Sequence, residues 1–131
     1  MYIESYLTNL LSQDGIAIYY GKFLTFDEAN GYFHSLLQNT PWKNDKVVVF
    51  GKHIVTKRKT AWYGDSNYVY IYSNTIKEAL SWTRELINLK HLVEILSNTK
   101  FNSCLLNLYH DGNEVWAGTV MMKNQLKKIA L

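Results

Sequence analysis

Two polar side chains, Asn107 and Tyr109, interrupt the apolar run 103–109, which predicts a β-strand. Residues two apart on a strand share one face, so this amide and this phenol can both donate hydrogen bonds to the carboxylate or keto oxygens of one small acid. The same spacing also fits an ordinary strand with one inward polar group that a neighbour satisfies. Spacing alone leaves both interpretations open.

Aromatic and basic side chains form a second group of candidates. Residues 68–72 alternate Tyr, Val, Tyr, Ile, Tyr, so Tyr70 and Tyr72 share a face, as a core strand or a stacking surface requires. The segment before them is predicted to be a basic loop, with the candidates Lys57, Arg58, Lys59, Trp62, Tyr63 and Asp65. The basic run is either a solvated surface or a site that attracts phosphates and loses them as salt rises. Asp65, which follows Gly64, is either a turn residue or a ligand-orienting carboxylate.

Composition narrows the class of protein. A chain of 131 residues that is 47% hydrophobic and 19% charged predicts one soluble globular domain, and the net charge of +3 is a mild bias toward anions. Cys104 is the only cysteine, which excludes an intrachain disulfide and suits a reducing compartment. No signal peptide and no apolar stretch of roughly 18 residues stands out, so we expect a cytoplasmic or nuclear protein without membrane contact.

Two helices and several strands must position these candidates. Residues 16–20 predict a short strand, and the capping box that begins at Thr25 predicts a helix over residues 26–38, ended by Pro41. Residues 46–50 predict a strand stopped by Gly51.

The second half of the chain begins with an ambiguous helix start. Thr83 is the predicted N-cap of a helix over residues 83–97, although Thr75 and Glu78 form a competing capping box. After the strand 103–109 comes an Asp-Gly turn, and residues 115–131 then show no clean period and no further strand with a turn.

Three stretches resemble a known family. They are residues 58–65, Arg-Lys-Thr-Ala-Trp-Tyr-Gly-Asp; residues 68–73, Tyr-Val-Tyr-Ile-Tyr-Ser; and residues 101–112, Phe-Asn-Ser-Cys-Leu-Leu-Asn-Leu-Tyr-His-Asp-Gly. In this order and spacing, over residues 16–113, they resemble the AlkB family of Fe(II)- and 2-oxoglutarate-dependent dioxygenases, in particular the duplex DNA and RNA dealkylases. The departures are Lys57, where a proline is usual, and His110, where an arginine or lysine is usual.

The resemblance implies a fold and an activity. The family fold is an α+β double-stranded β-helix, or jelly roll, with N-terminal helices packed on one sheet. Iron activates oxygen while 2-oxoglutarate is decarboxylated, and an N-alkyl carbon of the base is hydroxylated and leaves as an aldehyde. By resemblance, Asn107 and Tyr109 contact 2-oxoglutarate, and the basic segment and tyrosine hairpin contact alkylated DNA or RNA through Arg58, Trp62, Tyr63, Asp65, Tyr70 and Tyr72.

The family's next motif, the His-x-Asp pair that binds iron, does not follow Asn113. A non-haem Fe(II) oxygenase needs a 2-His-1-carboxylate face. Histidines occur only at His34, His53, His91 and His110, none with a carboxylate spaced for a local chelate, so each is expected at the surface or half-buried. We therefore expect residues 1–131 to form a single partial domain that binds no iron and is catalytically inactive.

The tail itself indicates a cause for this loss. Back-translation of residues 116–131 with chosen synonymous codons, read two bases later, gives a string that begins Gly-Trp-His-Ser-Asp, as the family continues. The missing His codon would straddle Gly118 and Thr119, and the missing Asp codon Val120 and Met121. Residues 115–131 are thus interpreted as an out-of-frame tail.

Two other functional readings remain open. A non-catalytic nucleic-acid-binding module would use the same basic segment and tyrosine hairpin, whereas a decayed product would neither bind nor turn over a substrate. The unclosed sheet also predicts marginal stability and non-specific self-association, because its edge backbone groups lack partners.

Overall fold

The computed structural model describes residues 8–66, 69–72, 75–111 and 128–130. The described part is an α+β arrangement of two helices, a five-stranded mixed sheet and a separate two-stranded hairpin. In chain order the elements are α1 (Phe26–Asn39), β1 (Lys43–Val49), β2 (Lys52–Gly64), β3 (Val69–Tyr72), β4 (Thr75–Glu78), β5 (Leu80–Ser81), α2 (Arg84–Ser97), β6 (Ser103–Tyr109) and β7 (Lys128–Ala130).

Strand β2 organises the large sheet, whose order is β1-β2-β6-β7. It pairs antiparallel with β1 along one edge and with β6 along the other, where Thr60 lies opposite Asn107 and Trp62 opposite Leu105. The short β5 pairs parallel with the end of β2, at Tyr63 and Gly64, beyond the last residues that β1 covers. The chain therefore returns to the end of β2 after the β3–β4 hairpin.

Both helices begin where the sequence predicts. The side chains of Thr25 and Thr83 accept hydrogen bonds from the backbone N–H groups of Glu28 and Leu86, which satisfies donors that a helix start leaves open. These caps confirm the two predicted helices. The competing capping box at Thr75 is wrong, because residues 75–78 form β4, and a strand partner overrides a local helix signal.

The core lies between the helices and one face of the sheet. Its buried members are Leu36 of α1, Leu86 and Leu89 of α2, and Ala61, Tyr63 and Leu106 of the sheet. Tyr32, Trp42 and Trp82 pack against this cluster. Leu106 is 0% exposed and Leu86 is 2% exposed, so the contact between α2 and β6 is the best-buried part of the fold.

The β1–β2 connection is a two-residue turn. Phe50 and Gly51 have φ of 49° and 75°, and the flanking Val49 and Lys52 form the last pair of the ladder. Two successive positive φ values are those of a type I′ turn, whose twist suits a hairpin. Phe50, predicted to end the strand, therefore sits at the tip of the turn, and the strand itself runs over Lys43–Val49.

Two other predictions for the first half of the chain are wrong. Residues 16–20 do not form a strand: Ile18 makes only an isolated bridge with Asn9, whose side chain instead holds a loop through the backbone of Gly15 and Ala17. The basic segment, predicted to be a loop, is the middle of β2. Strand pairing on either side of it accounts for its extended backbone, since Val55 and Lys59 pair with β1 and Lys59 also pairs with β6, and ladder hydrogen bonds use the main chain whatever the side-chain charge.

The remaining strands agree with the sequence in part. The strand over Ser103–Tyr109 is confirmed, and β3 confirms the tyrosine strand from Val69 onward, whereas Tyr68 lies outside the described residues. No strand was predicted after residue 114, but Lys128–Ala130 pairs antiparallel with Asn107–Tyr109. Three residues are too few to show a side-chain period, which is why the sequence did not reveal this strand. The rest of the predicted turn and tail lies outside the described residues.

A search of the described residues for a helix long and apolar enough to cross a bilayer finds none.

Candidate functional site

The two faces of the β2–β6 pair carry different chemistry. Directly paired residues of antiparallel strands point to the same side, so Thr60, Trp62, Leu105 and Asn107 lie on one face, called here the polar face. The opposite face carries Ala61, Tyr63 and Leu106 into the core beneath the helices. By strand alternation, Arg58 and Tyr109 also belong to the polar face.

Asn107 and Tyr109 lie on the same face of β6, which a ligand that contacts both side chains requires. Tyr109 is 2% exposed and Asn107 is partly buried. The side-chain oxygen Oδ1 of Asn107 is buried and has no hydrogen-bond partner among the described residues. A buried amide without a partner is costly, and rotation about its last torsion presents either its oxygen or its N–H₂ group to a ligand. This amide therefore has hydrogen-bonding capacity that the described part of the chain does not use.

Arg58 is already engaged within the protein. Its guanidinium forms an ion pair with Asp45, and both residues are buried, at 9% and 7% exposed. Asp45 sits where the β1–β2 register shifts, and its Oδ1 accepts a hydrogen bond from the backbone N–H of Lys46. The predicted contact between Arg58 and a substrate stays a prediction. The Arg58 guanidinium neutralises the buried Asp45 carboxylate within the β1–β2 hairpin.

Trp62 and Tyr63 point to opposite faces and do not act together. Trp62 is partly buried on the polar face, whereas Tyr63 is 2% exposed in the core cluster. Burial raises the pKa of the Tyr63 phenol, against the lowering effect of a hydrogen bond with the Thr40 side chain, and Cys104 raises it further. The core thus encloses the Tyr63 ring, and its predicted contact with a substrate stays a prediction.

Asp65 lies at the end of β2 and faces α2. Its Oδ1 accepts a hydrogen bond of 2.7 Å from the indole N–H of Trp82, and the Lys90 ammonium is 3.4 Å from the same oxygen. Lys90 also lies 5.0 Å from the centroid of the Trp82 ring, a cation–π distance. Of the two interpretations from sequence, the turn residue is closer to this arrangement, although the carboxylate joins separate elements rather than its own turn.

A cleft lies between the polar face and the β3–β4 hairpin. It has a volume of about 540 Å³. Its polar lining comes from Lys43, Asn44, Lys46, Thr60 and Glu78, and its apolar lining includes Trp62, Leu105 and Ile76. Tyr70 and Tyr72 lie on β3, where their backbones pair with Lys77 and Thr75. Ile76 and Glu78 of the hairpin thus line the same cleft as Trp62.

The β1–β2 hairpin is a basic surface that sequence reasoning missed in part. Residues 43–64 carry six Lys/Arg side chains and one carboxylate, whereas the rest of the chain carries eight Lys/Arg against ten Asp/Glu. The single carboxylate, Asp45, is the one that Arg58 neutralises. Lys43, Lys46, Lys52 and Lys57 are exposed. Counting charge by predicted element, instead of over the whole chain, would have found this basic ribbon.

Phe50 stands at the tip of the same hairpin. Its side chain is 99% exposed, which is unusual for a phenylalanine in a folded domain. An apolar ring at the end of a rigid two-stranded ribbon is typical of a contact with a base or another flat surface. The signal in the sequence was the Phe-Gly pair between two β-type runs, which predicts a turn when two residues separate paired strands.

The described residues contain no group of three or more His, Cys, Asp or Glu that could hold a metal ion. The four histidines are all exposed, as expected of surface histidines. The described residues therefore offer no three-ligand group for iron, and the contact of Asn107 and Tyr109 with 2-oxoglutarate stays a prediction.

Comparison with known proteins finds a consistent set of relatives, although no protein-family model matches the chain. The chain is 33% identical over 89 residues to the alpha-ketoglutarate-dependent dioxygenase alkB homolog 3 of Bos taurus, covering 68% of this chain and 31% of that protein. It is 28% identical over 102 residues to the DNA oxidative demethylase ALKBH2 of Arabidopsis thaliana, covering 74% of this chain and 32% of that protein.

A mouse relative extends the match. The DNA oxidative demethylase ALKBH2 of Mus musculus is 30% identical over 105 residues, which cover 78% of this chain and 44% of that protein. The chain thus spans between about a quarter and somewhat under half of the length of the curated relatives it matches.

Proposed function

We propose that this chain, the matched part of which belongs to the AlkB family of dioxygenases, is the nucleic-acid-binding and 2-oxoglutarate-contacting part of a nucleobase dealkylase. The full activity would be Fe(II)- and 2-oxoglutarate-dependent dealkylation of N-alkylated bases in DNA or RNA. The observation that carries the proposal is the basic β1–β2 ribbon with its exposed Phe50, next to a cleft lined by Trp62. The sheet and its two helices would then be the first part of a jelly roll.

Nucleic-acid binding would begin at the basic ribbon. Exposed Lys43, Lys46, Lys52 and Lys57 attract phosphates, and the bound counterions that they release make the binding salt-dependent. Phe50 would stack on an unpaired base or between bases, since base–aromatic stacking contributes about 1–3 kcal/mol. A base turned out of its stack would enter the cleft between Trp62 and the β3–β4 hairpin, where Tyr70 and Tyr72 remain proposed contacts.

Asn107 and Tyr109 would hold 2-oxoglutarate, which in this family supplies the reducing equivalents for oxygen activation. Rotated so that its N–H₂ group faces the acid, the amide of Asn107 would donate a hydrogen bond to one of the acid's oxygens. The phenol of Tyr109 would donate to the same acid from two residues along the strand. No oxidation step is assigned to this chain, because its described residues offer no iron site and no histidine follows His110 in its sequence.

The proposal extends to domain limits and context. Residues 1–131 would form one partial dioxygenase domain, with residues 16–113 family-like and residues 115–131 an out-of-frame tail. The chain would bind no iron, be inactive by itself, and reside in the cytoplasm or nucleus. The exposed edges of its sheet would also favour self-association. Light scattering that shows a monomer, together with a sharp cooperative thermal transition, would contradict the last point.

Salt-dependent binding of a single-stranded oligonucleotide without iron tests the central claim. We expect the double variant K52A/K57A to bind more weakly and to lower the slope of log K against log salt by about 1.4, the value for two lost single-strand phosphate contacts. A matched control, K22A/K100A, removes the same charge from exposed lysines outside the ribbon. Equal losses in the two variants would show that net charge, rather than the ribbon, causes the binding.

A non-catalytic nucleic-acid-binding module is the second candidate, because the basic ribbon serves it equally well. Ligand-observed NMR with 2-oxoglutarate separates the two candidates. If the chain is part of a dioxygenase, the acid binds the wild type and binding is lost in N107A but retained in L105A, whose side chain lies on the same face. Oligonucleotide binding without any 2-oxoglutarate signal would favour the binding module.

The reading frame of the tail is tested on the gene. We expect nucleotide sequencing across codons 110–131 and beyond to reveal a second frame that encodes His-x-Asp, followed by a further His and Arg. A gene with no such frame would remove the out-of-frame interpretation. The decayed-product reading is tested separately, since it requires that the chain bind neither oligonucleotide nor 2-oxoglutarate.

A further inference from the structure

The β3–β4 hairpin connects to the five-stranded sheet through the chain segments before β3 and after β4, which are called here its root. Its two strands form their own two-stranded sheet, with pairs from Val69 opposite Glu78 to Tyr72 opposite Thr75. No ladder among the described strands connects this sheet to the five-stranded one. The angle of the hairpin over the cleft therefore depends on what holds the residues where the chain enters and leaves it.

Entry and exit are bound to each other. The chain enters the hairpin after Asp65 and leaves it at β5, which pairs with the end of β2 at Tyr63 and Gly64. The backbone N–H of Asp65 donates to the carbonyl of Asn102, 3.0 Å away, which ties the entry to the start of β6. The indole of Trp82, directly after β5, donates to Asp65 Oδ1 at 2.7 Å. This side-chain hydrogen bond is not part of the sheet ladder, and it links the residue before the hairpin to the residue after β5.

Helix α2 provides the third anchor. The Lys90 ammonium lies 3.4 Å from Asp65 Oδ1 and 5.0 Å from the centre of the Trp82 ring. The Lys90 side chain is 19% exposed, whereas that of Asp65 is 46% exposed. The ion pair is thus partly screened, and the shorter, 2.7 Å hydrogen bond from the Trp82 indole to the Asp65 carboxylate is the stronger link.

We propose that Asp65, Trp82 and Lys90 form a clamp that fixes the angle of the β3–β4 hairpin over the cleft, and that Asp65 acts as a positioning residue rather than as a contact to the base. The consequence for ligand binding rests on the proposed function, whereas the mechanical role of the clamp does not. Opening the clamp frees the hairpin root while the core between α2 and β6 stays intact. The cleft then loses one wall without loss of the fold.

Hydrogen exchange measured by mass spectrometry tests the mechanical role. The variant W82F keeps an aromatic ring against the core and over Lys90 but removes the indole donor. We expect amide exchange in residues 69–78 to rise about fivefold to tenfold, as loss of one net hydrogen bond predicts, with little change in α2 or β6.

W42F is the matched control. Trp42 also packs against the core cluster and also donates its indole N–H, but to the carbonyl of Leu37, 3.2 Å away in α1. W42F should therefore leave hairpin exchange at the wild-type level. Equal changes in W82F and W42F, or no change in either, would overturn the clamp.

Variants of Asp65 keep the test decisive even if W82F fails to fold, because Asp65 is half-exposed and its removal spares the core. D65A removes the acceptor and should loosen the hairpin as W82F does. D65N retains an amide oxygen that accepts the indole bond and should restore most of the protection. If D65N exchanges as fast as D65A, the assignment of the clamp to the Trp82 bond is wrong.

Oligonucleotide binding adds the functional arm. We expect W82F and D65A to weaken binding about threefold to tenfold, whereas D65N and W42F stay near the wild type. Wild-type affinity in W82F despite a loosened hairpin would contradict the positioning role. If the wild type itself binds no oligonucleotide, the proposed function fails, and hydrogen exchange alone still decides whether the clamp exists.

Discussion

The two faces of the β2–β6 pair differ in how their side chains are used. Toward the helices, Ala61, Tyr63 and Leu106 are almost fully enclosed. On the polar face the same strands carry Leu105, which is 49% exposed, and Asn107, whose amide oxygen has no partner among the described residues. Along β6, residues that pack in the core thus alternate with residues of the polar face, where Asn107 keeps an unused hydrogen-bonding group.

This division shows why a strand is a good support for a site. Every second residue anchors the strand in the core, so the intervening side chains are held in place without having to contribute stability themselves. Asn107 lies between Leu106 and Leu108, which are 0% and 5% exposed. Asn107 is thus held between two neighbours that pack in the core.

Truncation of leucines on the two faces should give the largest contrast. Leu106→Ala is expected to lower the free energy of unfolding by about 3–5 kcal/mol, because it leaves a cavity at a fully enclosed position. Leu105→Ala, one residue away and half-exposed, should cost less than about 1 kcal/mol. Urea denaturation measures both values, and similar losses would show that the polar face is as tightly packed as the core.

Asp45 and Arg58 should show the next largest effect. Asp45→Ala leaves the Arg58 guanidinium buried without its carboxylate and is expected to cost about 3 kcal/mol. The double variant D45A/R58M removes the remaining charge and should recover part of that loss, measured by urea denaturation. A double variant less stable than D45A would show that Arg58 stabilises the polar face through contacts other than its ion pair.

Local patterns in the sequence predicted the helices and β6 because the interactions that define these elements come from residues within or next to each element. Thr25 and Thr83 cap their helices through their own side chains, and the apolar run of β6 matches its burial. Residues 16–20 have strand composition too but find only one bridge, with Asn9. A strand needs a second strand to pair with, and the local sequence does not show whether such a strand is present.

The candidate site was predicted unevenly for the same reason. Spacing alone identified Asn107 and Tyr109 as neighbours on one face, since strand geometry is local. The partners of Arg58 and Asp65 lie 13 and 17 residues away in sequence, at Asp45 and Trp82. The sequence predicted contacts with a ligand for both side chains, but tertiary packing provides them with partners inside the protein.

Alkaline pH should weaken the core face selectively. Burial raises the pKa of Tyr63, with Cys104 adding to the rise against a hydrogen bond with Thr40, and burial also raises the pKa of the Cys104 thiol. Folding thus favours their neutral forms. That stability is fully present below the unfolded values of 9.0 for the thiol and 10.0 for the phenol, and it is lost as pH rises through the higher folded values.

Urea midpoints measured between about pH 8 and pH 11 check this dependence. We expect a progressive fall in the wild type and a shallower fall in the double variant Y63F/C104S, which lacks both titrating groups. A parallel fall in the two proteins would mean that other groups cause the alkaline loss.

Asn107→Leu should give the smallest and most informative change. Leucine removes a buried amide oxygen that has no partner among the described residues, so the free energy of unfolding should rise slightly, by up to about 1 kcal/mol. The same variant should lose its response to 2-oxoglutarate in ligand-observed NMR. A gain in stability with a loss of binding is expected of a residue retained for a ligand. A clear loss of stability would instead assign Asn107 a structural role, and the two faces of the sheet would differ less than their chemistry indicates.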